Sequence, residues 1–198
     1  MMSTGATTHG SPASHTPQLS AWLRDARRLD LAVYEAITRT PTPSLDGPMN
    51  RLTQAANYSR LWLASAAILA TTRGAPGRRA AFTGLASVAV SSAVVNLVIK
   101  PLSRRRRPDR SDVVAARQAP MPGSTSFPSG HSASAFAFAT GVGSVLPREA
   151  VPIRALAAAV AYSRVHTGVH YPGDAIAGAF IGTTLAQATS RVLERRGW

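Results

Sequence analysis

Apolar positions along the chain gather into five segments that carry almost no charge, separated by short polar stretches. The longest, residues 80–99, runs 20 positions without a charge, the length a helix needs to cross a bilayer core. Residues 61–72 form a second segment, with Arg60 and Arg73 at its ends placed to snorkel toward the interfaces. Leu52, Ala55 and Tyr58 continue its pattern backward, which predicts one longer helix. Residues 132–146, 151–163 and 175–190 follow. The last carries Gly178 and Gly182 four positions apart, a spacing that lets two helices approach closely. None shows the polar stripe of a surface helix in a soluble bundle.

Upstream the pattern changes. Residues 1–18 are rich in Ser, Thr, Gly, Pro and His and have no apolar run, so a disordered arm without a signal peptide is expected. Residues 19–38 read as an amphipathic helix. Trp22, Ala26, Leu29, Val33 and Ile37 recur at helical spacing, and Arg24, Arg27 and Arg28 lie off that face. Such a helix suits the membrane interface, or a cap on the bundle. Pro41, Pro43, Gly47 and Pro48 mark a linker. The expected organisation is therefore an arm (1–18), an amphipathic helix with its linker (19–47) and a membrane-embedded domain (48–198). The fold class expected is an all-α polytopic membrane bundle of about five spanning helices, with an interfacial N-terminal helix.

Charge sharpens this picture. The 198 residues hold 22 basic and 9 acidic side chains, a net charge of +13, and Lys100 is the single lysine. Such a balance suits polyanions, whether nucleic acid, anionic headgroups or phosphorylated substrates. Charged residues make up only 16% of the chain, against about 25% in soluble domains, which favours membrane over nucleic acid. The absence of cysteine excludes disulfides, thiolate metal sites and a thiol nucleophile.

With five spans, residues 100–128 and 164–173 share one membrane face. That face gathers His131, His166 and His170, and Asp174 follows His170 by four positions, within reach on one helical face. A carboxylate there can orient an imidazole and stabilise its cation. Lys100, Arg107 and Arg164 fall on the same face, beside a Ser129-Gly130 turn that precedes a helix. Forked guanidiniums and free amides at a helix start make an anion pocket, and cationic clamps of this kind stabilise phosphoryl transfer. One imidazole would attack phosphorus, and another would protonate the departing oxygen.

Three motifs stand in order: Lys100-PLSRRR-Arg107-Pro108, then Pro128-Ser129-Gly130-His131, then Ser163-Arg164-VHTGV-His170-YPG-Asp174. In these the chain resembles the type 2 phosphatidic acid phosphatase superfamily, which includes bacterial polyprenyl diphosphate phosphatases and vanadium haloperoxidases. The resemblance covers about residues 50 to 190. It implies His170 as the nucleophile forming a phosphohistidine, Asp174 as its orienting acid and His131 as the general acid. It further implies phosphate binding by Lys100, Arg107, Arg164, Ser129 and the Gly130 amide, with no metal and no cofactor. His166 falls inside the third motif's spacer and is read as supporting. Arg104, Arg105 and Arg106 are read as headgroup-facing charge. Many family members have six passes; the N-terminal helix stands where the first would be.

The expected function is an integral membrane phosphatase of a lipid phosphate or diphosphate, with a polyprenyl diphosphate or phosphatidate-like substrate. It is placed in the bacterial cytoplasmic membrane, its site on the extracytoplasmic face, and nucleic acid is not an expected partner. The alternatives are a vanadium-haloperoxidase-like enzyme and a non-enzymatic basic membrane or polyanion-binding protein.

Overall fold

The structure is a computed structural model and describes residues 16–197. Eight helices run in order: α1 (Thr16–Arg39), α2 (Pro43–Ala55), α3 (Arg60–Thr72), α4 (Gly74–Ala93), α5 (Lys100–Leu102), α6 (Gly130–Gly143), α7 (Ala150–His166) and α8 (Pro172–Arg195). No strand occurs among the described residues. The arm expected over 1–18 lies outside them, apart from its last three positions, which are already helical.

All five apolar segments form helices, the third ending at Gly143, three residues before its expected bound. α4 continues through a π-helical stretch, Val94–Ile99, into α5, and this 29-residue run, Gly74–Leu102, is long and apolar enough to cross a membrane. It is the one described helix that meets both conditions, so the count of five spans rests on the sequence pattern. The helix ends alternate between two faces. Arg73, before α4, pairs with Glu149, before α7, at 3.5 Å on one face. Lys100, Gly130 and Pro172 end or begin their helices on the other.

Small residues make the interior. A Cβ on Gly182 would strike the backbone carbonyl of Ala133, and one on Gly178 would strike that of Ser129, so α8 lies directly on the start of α6. Gly141 of α6 meets α4 in the same way, where an added Cβ would come within 2.9 Å of the Gly84 Cα. The large apolar side chains point outward: Leu97, Ile176 and Phe180 are each about 70% exposed or more. Trp62 and Phe138 are the large buried exceptions; glycine contacts between helices and large apolar side chains on the outside are features that helices packed in lipid share.

Two expectations are corrected. The Pro/Gly linker is helix α2, which Pro43 opens at a first-turn position where its missing N–H costs nothing. The segment 52–72 is two helices rather than one, because Tyr58 and Ser59 take left-handed backbone angles, φ 55° and 58°. That conformation costs about 1–2 kcal/mol per non-glycine residue, and it turns Asn57 toward the motif face.

α1 also differs in which face it packs. Its buried positions are Tyr34 and Thr38, with Asp30 and Ile37 half-buried, whereas Trp22 and Leu29 of the expected stripe are exposed. The C-terminal end of α1 is held by Arg117 of the loop after α5. This buried guanidinium donates to the carbonyls of Ile37, Thr38 and Thr40 and pairs with Asp46 of α2 at 2.7 Å. Orphan carbonyls at a helix end are satisfied in this way by a cation.

Candidate functional site

The second motif starts α6. Ser129 is its N-cap: the side chain accepts from the Ser132 amide at 3.3 Å and contacts the Ser132 hydroxyl at 3.0 Å. Its own amide donates to the Asp174 carbonyl at 2.9 Å, which locks the second motif to the third. A Cβ on Gly130 would lie 3.7 Å from the Lys100 ammonium, so the first motif reaches this helix start as well.

The ammonium of Lys100 donates to the Ser124 hydroxyl at 3.1 Å. Arg107 donates to the Ser124 carbonyl at 2.9 Å and to the Thr125 carbonyl at 3.2 Å. It also reaches His170 Nε2 at 3.1 Å through one terminal nitrogen. A guanidinium can only donate, so Nε2 is the accepting nitrogen and carries a lone pair, and the ring proton sits on Nδ1. Nδ1 faces Asp174 Oδ2 at 3.6 Å, just beyond hydrogen-bond distance. Burial pushes the His170 imidazole down to about 4, opposed by Asp174 and reinforced by Arg164 and Arg107. At neutral pH the ring is uncharged, and its lone pair on Nε2 points to Arg107.

Asp174 is buried in the first turn of α8. Its Oδ2 accepts from the Tyr171 amide at 3.0 Å and from the Ser126 hydroxyl, and its Oδ1 accepts from Arg105 at 3.0 Å. Arg164 is buried in the last turn of α7. It donates to Thr53 at 2.5 Å, and its Nε has no partner among the described residues. His131 Nε2 lies 2.8 Å from Asn57 Oδ1. Lys100, Arg107, Arg164 and His170 are all electrostatic neighbours of His131, so every residue implied by the three motifs falls in one place. His166 lies behind, buried, with Nε2 3.1 Å from Asp46 Oδ1.

None of Lys100, Arg107 and Arg164 forms an ion pair with a carboxylate among the described residues. Burial lowers the Arg107 pKa from its ordinary value, opposed by the Asp174 carboxylate nearby. Three close, partly desolvated cations with no carboxylate in ion-pair contact are able to accept the oxygens of an anion.

Several residues of the site escaped the motif spacing. Thr53, Asn57, Ser124 and Ser126 carry no distinguishing signal in sequence, because ordinary polar residues become informative only once the fold brings them beside charged ones. Arg105 corrects an expectation: it turns inward to Asp174 and Asp30, while Arg104 and Arg106 on either side are exposed. Beside it, between α1 and the start of α8, lies a cavity of about 1000 Å³ with Leu23, Ala26, Leu29, Val33, Phe127 and Ile176 on its walls.

Known proteins are similar to this chain. A lipid A 1-phosphatase from Rhizobium johnstonii is 34% identical over 114 residues, 56% of this chain and 47% of that protein. The chain thus spans about half the length of that relative. A decaprenylphosphoryl-5-phosphoribose phosphatase from Mycolicibacterium smegmatis is 31% identical over 162 residues, 79% of this chain and 84% of that protein. The crystal structure of Aquifex aeolicus LpxE superposes with a TM-score of 0.68 at 24% identity, covering 82% of this chain and 95% of the other, and so shares the fold. The family model of the PAP2 superfamily matches residues 81–198, and with the second and third motifs converging inside that region, the chain belongs to the PAP2 superfamily.

Proposed function

We propose that the protein is an integral membrane phosphatase that hydrolyses a lipid phosphate or diphosphate through a phosphohistidine on His170. The observation that carries this is the set of three cations without a counter-ion gathered around an uncharged, lone-pair-bearing imidazole. A substrate phosphate would take the hydrogen bonds of Lys100, Arg107 and Arg164, together with free amides at the start of α6. His170 Nε2 would attack phosphorus while His131 protonates the leaving oxygen. Asp174 would stabilise the charge that develops on the His170 ring. Water would then cleave the phosphoramidate, with His131 now acting as base.

Lipid is favoured as the substrate class because the cavity beside the site combines apolar walls with charged ones, and because the surrounding helices expose their large apolar side chains. A polyprenyl-linked or phosphatidate-like phosphate suits this setting. The reaction assigns no role to a metal or cofactor, and the motif face is taken as extracytoplasmic.

The test is phosphate release by the detergent-purified chain from a panel of lipid phosphates and diphosphates in EDTA, with His170→Ala alongside. Release by the parent and not by the variant is expected. No release from any substrate overturns the phosphatase reading, and equal release by the variant overturns the assignment of the nucleophile.

A further inference from the structure

Asp30 lies outside the three motifs and Arg105 in the spacer of the first, 75 positions apart in sequence, yet they meet beside Asp174. Arg105 spans two carboxylates with the two ends of one guanidinium. One nitrogen donates to Asp174 Oδ1 at 3.0 Å, and the other pairs with Asp30 Oδ2. Asp30 Oδ1 accepts from the Gly173 amide at 2.6 Å, at the free N-terminal end of α8. The guanidinium carbon sits 4.4 Å from the centre of the Tyr171 ring, a stacked position that fixes its plane. A Cβ on Gly173 would lie 3.1 Å from Asp30, so the approach of α1 to this turn is tight.

The geometry has a specific effect on the carboxylate. Asp174 can rotate about its last bond, and the Tyr171 amide and Ser126 both bind Oδ2 alone. Arg105 is the donor on Oδ1, and holding that oxygen outward directs Oδ2 at His170. A surface ion pair would add little. Here, however, the Asp174 side chain is fully buried and that of Arg105 only one-third exposed, so the pair acts across a low-dielectric boundary. Arg104 and Arg106 carry the same charge one position away, are exposed and make no ion pair among the described residues. They are built-in controls for net charge.

We propose that Arg105 and Asp30 are positioning residues for the phosphoryl transfer: Arg105 orients the Asp174 carboxylate toward His170, and Asp30 holds Arg105 from α1. The proposal rests on the reading of His170 and Asp174 as the reacting pair. It makes the N-terminal helix part of the active site, although α1 lies wholly before the region matched by the family model.

The test uses the full chain in detergent with a short-chain phosphatidate. kcat and KM are measured for Arg105→Ala, Arg105→Lys, Asp30→Asn and Arg106→Ala, with His170→Ala as reference and thermal melts for each. Arg105→Ala should lower kcat about 30–100-fold with KM within threefold, at an unchanged melting temperature. Arg105→Lys, or millimolar guanidinium added to Arg105→Ala, should restore at least a fifth of the lost rate. Asp30→Asn should lose about 3–10-fold, and the double variant should lose no more than Arg105→Ala. Arg106→Ala should stay within twofold of the parent.

An Arg105→Ala enzyme within threefold of the parent overturns the proposal, as does a loss that neither lysine nor guanidinium restores. A His170→Ala variant as active as the parent overturns the function reading instead. If the parent releases no phosphate at all, amide exchange decides: faster exchange over residues 171–174 in Arg105→Ala and Asp30→Asn supports the clamp, and unchanged exchange overturns it.

Discussion

Asp174→Asn removes a charge while keeping the side-chain volume, which makes it a clean probe of how His170 is prepared. The carboxylate accepts from Arg105 on one oxygen and from Tyr171 and Ser126 on the other, which also faces His170 Nδ1 at 3.6 Å. An amide has one accepting oxygen and a donating NH2. With its oxygen toward Arg105, the NH2 opposes the Tyr171 amide and the Nδ1 proton. Turned the other way, it opposes the guanidinium. Either arrangement strands buried donors at about 1–3 kcal/mol. The first also drives the ring proton to Nε2, where it would occupy the attacking lone pair. In Ser-His-Asp hydrolases the wrong tautomer costs about 10⁴ in kcat. The longer separation here weakens the coupling, so we expect a loss of about 10²–10³, or roughly 2.7–4.1 kcal/mol. KM should stay within threefold, because the three cations are untouched. The assay is single-turnover phosphate release in detergent at pH 7, with melting temperature as the control for folding. A kcat within fivefold of the parent would refute the orienting role. A tenfold rise in KM at unchanged kcat would assign Asp174 to binding instead.

Other outcomes follow from the same geometry. Because His170 is held near 4 in the free protein, kcat/KM should rise with pH through about that value and level off above pH 5. A limb centred above pH 6 would contradict this. Lys100→Arg should lower kcat/KM about 10–50-fold at unchanged melting temperature, because a planar fork does not fit where a compact ammonium sits against Ser124 and Gly130; parent-like kinetics would remove that steric reasoning. Gly182→Val should destabilise by about 1–3 kcal/mol through collision with the Ala133 carbonyl, read as a melting temperature several degrees lower. An unchanged melt would show that α6 and α8 can separate there. Arg117→Leu leaves the Asp46 carboxylate and the terminal carbonyls of α1 without their cation, so a loss of about 3–5 kcal/mol is expected in the same melt, and a shift below one degree would refute it.

The three motifs and the five apolar segments were legible because each rests on local spacing. Motif residues fall at helix ends, and apolar runs of helical length fold as helices. What the sequence concealed depends on contacts made across long separations. The pattern of apolar residues runs unbroken through Tyr58, so nothing in it marks the left-handed turn that divides α2 from α3 and brings Asn57 to His131. Pro43 and Pro48 look like linker residues until α2 packs on α7 and the loop. Four successive arginines are alike in composition, and only the presence of Asp30 on α1 distinguishes Arg105 from its neighbours. The apolar stripe read on α1 is real as a pattern, but most of it is not buried: Ala26, Leu29 and Val33 line the open cavity beside α8, and a cavity-lining stripe and a core-facing stripe have the same period.

The close glycine contacts between α4, α6 and α8 have a consequence for how this scaffold can diversify. Where backbone lies against backbone at Gly141, Gly178 and Gly182 there is no side chain to trade for another, so substitution at these contacts meets collision rather than repacking. Change in substrate preference is thereby channelled into parts joined to the block by polar contacts: α1, the loop between α5 and α6, and the short turn before α8. The interior acts as an anvil of constant shape, and specificity is free to evolve on what is fastened to its face.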